Sequence, residues 1–256
     1  MRRSIRNLYA YALAEGEGVG TAYEYYVKRR VMRPLLAGLG KGASVLVAGL
    51  PEKYGTSLDF VLAAGEREAR VLVVDDRPAA LERARSAVEG AALAGMLSGA
   101  QPELRSVTDI ADLESLGRYD VVLSCEVVQR LEVSARRRYV RRIRSLAPLG
   151  VVFAPNSENG SHLAISGLGG LDRRTLADLF DGTASEVGFV DLPPFPPGIK
   201  RSEAQRARAT TGRMEAIAMR GLELYSAIEP VMPATLKRHV AHIAYAVWRD
   251  DSARRR

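Results

Sequence analysis

Cysteine, side-chain amides and long apolar runs are scarce in this chain. A single cysteine, Cys125, stands among 256 residues, which excludes an internal disulfide and a cysteine-rich zinc site. No run of 18 uncharged apolar residues occurs, and the basic start is not followed by a signal-peptide core, so neither a membrane span nor a secretory signal is expected. The expected compartment is the cytosol. Asn and Gln occur three times each, and only five of the 37 basic residues are lysine. Scarce amides suit a thermophilic source, although the arginine bias follows equally well from genomic base composition. With 47% hydrophobic and 26% charged residues, the chain has the composition of a folded domain, not of a disordered one.

The charge is uneven. The formal net charge is +7, yet six arginines fall between Ser134 and Leu146, a stretch without an acid, and three more are Arg254 to Arg256. Four of the six, Arg136, Arg137, Arg141 and Arg144, are candidates to hold RNA or DNA phosphates. Against this stands the commoner case of a solvated helix face.

Hydrophobic spacing divides the chain. Ile5, Leu8, Tyr9 and Leu13 recur at helical intervals, a Gly-rich turn follows from Glu15 to Gly20, and Thr21 is placed to cap a second helix carrying Tyr25, Tyr26, Val31, Met32 and Leu35. Pro34 falls inside that pattern. From Ala43 onward, apolar runs alternate with helices: strands at 44–50, 70–74, 103–107, 119–124 and 150–154, with helices at 57–64, 78–93 and 133–146. Unbroken Val/Leu strands between helices imply a doubly wound, mostly parallel α/β sheet covered on both faces. Beyond it lie a helix at 172–180, a strand at 186–191, the proline cluster 192–198, a long helix at about 202–229, and an alternating last strand at 242–248. The expected organisation is a helical cap over 1–42 and an α/β domain over 43–256, with a helical insertion at about 199–236.

Ligands of such a sheet sit at the carboxyl ends of its strands. After the first strand, Gly49, Leu50 and Gly55 belong to a turn in which glycine lets backbone approach a ligand. The second strand ends in Asp75-Asp76, where a carboxylate can accept from both hydroxyls of a ribose; otherwise Asp75 only caps the following helix. Asp109 and Ile110 follow the third strand, placed to take an adenine amino group and to cover its ring. The order of Gly turn, acid after strand two (VVDDRPAALERAR), acid after strand three, YDVVLS and GVVFAPN is similar to the class I S-adenosylmethionine-dependent methyltransferases, over roughly residues 43 to 191. The family's antiparallel last strand is matched by 242–248.

That resemblance implies S-adenosylmethionine as cofactor, with the 49–55 loop at its methionine end, Asp75 on the ribose and Asp109 near the adenine; Asp76 and Ser124 complete the candidate cofactor set. The first loop departs from the family, because its two glycines flank five residues, among them Pro51, Glu52 and Lys53. Candidates for the acceptor side are Glu126, Asn156 and His162, with His162 the most attractive base since imidazole titrates near neutrality. Its alternative is a loop histidine bonded to backbone or water. His239 and His242 read as structural, and Cys125 as a buried small residue. The expected activity is methyl transfer to a small molecule or RNA. Two alternatives remain: a nucleic-acid-binding protein that keeps the fold without catalysis, and a nicotinamide-dependent oxidoreductase, against which the missing G-x-G-x-x-G counts.

Overall fold

The computed structural model describes residues 4–52, 55–97, 99, 101–194 and 213–250. Its seven strands are β1 (Ser44–Ala48), β2 (Arg70–Asp75), β3 (Glu103–Ser106), β4 (Val121–Cys125), β5 (Leu149–Pro155), β6 (Glu186–Val190) and β7 (Ile243–Arg249). They form one sheet in the order β3-β2-β1-β4-β5-β7-β6. The first five pair in parallel, while β7 runs antiparallel between β5 and β6. This is the doubly wound, mostly parallel sheet that the hydrophobic pattern predicts, with the antiparallel last strand that the family resemblance implies.

Alternation along the strands divides the core between the two faces. Val45, Val47, Leu123 and Phe153 pack with α1 (Ile5–Ala14), α2 (Val19–Leu36), α3 (Leu58–Gly65) and α4 (Pro78–Leu93). Leu46, Ala48, Val122 and Val152 face α5 (Val133–Leu146) and a short helix numbered α7 below. The strands read as continuous apolar runs because both faces are covered.

The long helix expected at 202–229 is described only as α8 (Arg213–Ile228), because 195–212 lie outside the described residues, as does most of the proline cluster. Two short helices interrupt segments read as loops or as plain connections. These are α6 (Gly160–Ser166), capped by the Asn159 side chain, and α9 (Ala234–Val240), which starts after Pro233; α7 (Arg173–Asp178) lies between α6 and α8 in the chain. The second helix starts earlier than Thr21, with extended Gly18 as its N-cap, and it runs through Pro34 to Leu36. No described helix is long and apolar enough to cross a membrane.

Because β7 is antiparallel, its first residues lie at the carboxyl ends of the parallel strands. The end of β6 meets them there, Val190 pairing with Ile243. The loops that follow β1, β2, β4, β5 and β6, and the residues preceding β7, thus share one edge.

Candidate active site at the carboxyl edge of the sheet

At the β2 end of this edge, Asp75 is fully buried. Leu50 N–H donates to its Oδ2 at 2.7 Å, and the Arg77 N–H and Nε both donate to Oδ1 at 2.8 Å. Arg77 Nη2 reaches Oδ2 at 3.0 Å, and Arg130 Nη2 bridges Asp75 and Asp76 at 3.3 and 3.0 Å. Burial would raise the Asp75 carboxyl, but the hydrogen bonds from Arg77 and Leu50 and the charges of Arg77 and Arg130 outweigh it and hold the group below its ordinary value. Gly49 has the left-handed φ of 82°, and a Cβ there would lie 2.4 Å from Val127 Cγ2 and 3.5 Å from Ile110 Cγ1. Asp75, Gly49, Leu50 and Ile110 therefore converge. Asp109 follows β3 with its Oδ1 accepting from Ala111 N–H at 2.7 Å, and it is half-buried.

The first loop is tied down from α1. Glu15 Oε1 accepts from Thr56 N–H at 2.8 Å and also from the Thr56 hydroxyl, and Gly55 N–H reaches Glu17 at 3.4 Å. Carboxylates at the start of α3 suit its unpaired N–H groups. Burial, countered by the Thr56 hydrogen bond, pushes the Glu15 carboxyl up to about 7. A cavity of about 480 Å³ opens between this turn, Gly55, Thr56 and α4.

Under β4 and β5 lies a cluster of buried charge. Lys28 of α2 has its Nζ 2.8 Å from Glu24, 3.2 Å from Asp59 of α3 and 3.8 Å from Cys125 Sγ, and 5.0 Å over the Phe60 ring. Burial opposes the charge on Lys28, yet Asp59 and its neighbours outweigh that and keep the ammonium protonated. Burial pushes the Cys125 thiol well up, so it stays neutral. Glu126, left-handed at φ 55°, follows β4; burial and then the charge of Glu24 push its carboxyl up to about 8. Its Oε2 accepts from Glu52 N–H at 3.3 Å, which brings it to the first loop.

At the β7 end, His242 Nδ1 lies 3.0 Å from Asp191 Oδ2, and its ring stacks on His162 at 4.1 Å and 15°. Burial, then the nearby His242, depress His162 to about 4. Burial also works against protonation of His242, but the hydrogen bond and charge of Asp191 prevail and raise its pKa. The histidine singled out by its position after β5 is thus the weaker base. The stronger base is His242, which precedes β7 and is brought to this edge by the antiparallel direction of that strand.

Other predicted residues are placed elsewhere. The Ser124 hydroxyl is buried at 2.7 Å from the Tyr139 hydroxyl, beneath α5. Asn156 is buried with Nδ2 donating to the carbonyls of Arg238 and Ala241, both at 2.9 Å, and Oδ1 accepting from Glu158 N–H. It fastens the loop after β5 to the entry of β7. Along α5, Arg136 donates to the carbonyls of Leu131 and Gln129, and Arg137 pairs with Asp181. Arg141 lies 3.7 Å from Asp181, while Arg144 Nε is buried without a partner. Most of the basic stretch is therefore engaged within the chain. The sequence pattern gives no role to Lys28, Asp59, Arg77 or Asp191, and it reads His242 as structural, whereas His242 pairs with Asp191. A signal for Asp59 was present: it is the one acid in the otherwise apolar LDFVLAAG.

No protein-family model matches the sequence, and no curated protein matches it either. Solved structures do. The small RNA methyltransferase HEN1 matches at a TM-score of 0.52 and 18% identity, over 88% of this chain and 25% of that one. A geranyl diphosphate methyltransferase in complex with GPP and sinefungin matches at 0.50 and 11%, over 87% and 77%. Magnesium protoporphyrin IX methyltransferase from Synechocystis PCC 6803 with bound SAM gives 0.47 and 12%, over 86% and 76%. The fold of this chain is that of the class I S-adenosylmethionine-dependent methyltransferases.

Proposed function

We propose that the chain is an S-adenosylmethionine-dependent methyltransferase acting on a small-molecule acceptor. The observation that carries this is the convergence of buried Asp75, left-handed Gly49 and Ile110 where β1, β2 and β3 end. The residues fit a nucleoside once one exchange is made. The guanidinium of Arg77 lies on the Asp75 oxygens that a ribose diol would use, and its side chain, 29% exposed, has a path to solvent. Asp75 would then accept from the ribose, Asp109 from the adenine amino group, and Ile110 would cover the ring. When bound, the cofactor supplies an electrophilic methyl group on a sulfonium. The chain's own part is to place the acceptor over β4 and β5, to exclude water beneath α2, and to manage the acceptor's proton.

The strand order supports a methyltransferase over a nicotinamide oxidoreductase, whose sheet is parallel throughout in the order 3-2-1-4-5-6. A small molecule is favoured over RNA because the arginines of α5 are mostly engaged with the chain's own acids and carbonyls. Calorimetric titration with S-adenosylmethionine, S-adenosylhomocysteine and NAD tests the reading. Micromolar binding of the first two and none of NAD is expected. Asp75→Ala should weaken both by roughly 10- to 100-fold, the worth of charge-assisted hydrogen bonds of about 1.5–3 kcal/mol. Absence of binding, or unchanged affinity in a folded Asp75→Ala protein, would refute it.

A further inference from the structure

We propose that His242, held by Asp191, is the general base that takes the proton from the methyl acceptor, and that the acceptor arrives protonated, as an alcohol or phenol. This rests on the methyltransferase reading above and adds to it the residue that handles the proton and the class of substrate. The acceptor's O–H bond breaks with its electron pair left on oxygen, and the proton lodges on Nε2 of His242 while Nδ1–H stays on Asp191. A thiolate or a free amine would not need such a base.

With Asp191 ionised, its Oδ2 at 3.0 Å accepts from Nδ1–H, and this tautomer leaves Nε2 with its lone pair. The ring cannot turn freely, because His162 covers one face and the backbone is held on both sides. His242 N–H donates to Asp191 O at 2.8 Å, and His242 O accepts from Asn156 N–H at 2.8 Å. Asp191 is itself set with care. It adopts the left-handed φ of 67°, unfavourable for a residue with a side chain, and this conformation brings its carboxylate under the imidazole. That carboxylate is buried and its Oδ1 has no hydrogen-bond partner. Asp191 N–H donates to Glu229 Oε1 at 3.0 Å, and Glu229 Oε2 accepts from the Tyr23 hydroxyl at 2.7 Å and pairs with Arg30 at 3.0 Å. The dyad is thereby anchored through Glu229 to two residues of α2.

Its position suits the role. Adjacent strands lie about 4.8 Å apart, so the four steps from β2 to β7 place His242 roughly 19 Å along the edge from Asp75. A nucleoside at β2 and β3 would put its sulfonium over β1 and β4 and the acceptor oxygen over β5, the strand next to His242 on β7. The charge of Glu24 acts on Glu126, His162 and His242 together, so α2 lies across both regions. The titratable and charged groups facing the dyad are His162 from α6, Glu24 and Lys28 from α2, and Glu229 before α9, with the Glu158–Arg238 pair on the neighbouring loop.

Three histidines in the whole chain make a direct test practical. Their ring C2 protons can be assigned by single His→Gln variants and titrated by NMR in the free protein and in complexes with S-adenosylhomocysteine and S-adenosylmethionine. His242 should titrate above His162 throughout. The sulfonium complex should lower His242 by about 0.5–1 pH unit relative to the uncharged sulfide complex, because a positive charge then faces the imidazole. Asp191→Asn should lower His242 in all three states yet preserve the difference between the two complexes, which a purely structural pair would not show. If both ligands bind and His242 titrates identically in the two complexes, His242 is not at the transferring methyl and the proposal is overturned. If calorimetry shows that neither binds, the methyltransferase reading fails first and takes the base assignment with it.

Discussion

Arg77 controls what Asp75 can do. It places three donors on the carboxylate and a fourth interaction on the Leu50 carbonyl at 2.7 Å, so it closes the ribose position with the chain's own charge. Arg77→Ala removes the competitor while the Leu50 N–H and Arg130 remain on Asp75. We expect S-adenosylmethionine affinity to rise several-fold by calorimetry. Urea unfolding should show a loss of about 1–3 kcal/mol, since a buried acceptor loses charge-assisted partners. A fall in affinity would instead make Arg77 a ligand-holding residue. Asp75 was legible in the sequence because an acid ending a Val run before a helix is a positional signal. Arg77 was not, because an arginine beside Pro78 reads only as the start of α4. The same limit hid the pairing of His242, a residue that reads as structural, with Asp191, since the two are 51 residues apart and meet only through the β6–β7 pairing.

Among the elements, β5 and β7 show how much of the fold the pattern carried and where packing took over. The runs GVVFA and HIAYAVW announce two strands, and seven residue pairs join them in antiparallel register. The requirement for glycine at 150 is invisible until the register is known. Gly150 faces Trp248, and a Cβ there would lie 2.2 Å from the indole and 2.5 Å from the Val122 carbonyl. Gly150→Ala should therefore destabilise the protein by about 1–3 kcal/mol through overpacking, measured by denaturant midpoint at unchanged slope. A neutral result would mean that the indole, which also donates to the Ala147 carbonyl at 3.1 Å, is free to move. Helices α6 and α9 escaped the sequence reading for the opposite reason. Each spans only seven residues, too few for a helical period to stand out, and their starts are set by Asn159 and Pro233. In α5 the period was plain, with Tyr139, Val140, Ile143 and Leu146 buried, but the fate of its arginines depended on acids from distant loops such as Asp181 and Asp112.

Across the whole molecule, titratable groups gather between the N-terminal helices and the sheet, and this makes stability depend on pH in a definite direction. Glu15 and Glu126 release their protons near 7 and 8 in the folded protein, against 4.5 when unfolded. Through that interval the folded state binds more protons, so stability falls as pH rises. His242 acts with the same sign, because its raised pKa gives a contribution complete below 6.5 and lost as pH climbs through the folded value. His162 acts oppositely, but only between about 4 and 6.5, and above that range it is neutral in both states. Between pH 6.5 and 8 the two carboxyls and His242 therefore pull one way. Unfolding free energy measured in urea should decline steadily across this window, and the slope should be shallower in Glu126→Gln, whose amide neither loses a proton nor repels Glu24. His162→Gln should leave the slope above pH 6.5 as it is and flatten the opposing rise below it. A Glu126→Gln profile parallel to that of the unmodified protein would show that Glu126 is ionised in the folded state, with the Glu52 N–H of the first loop donating to it.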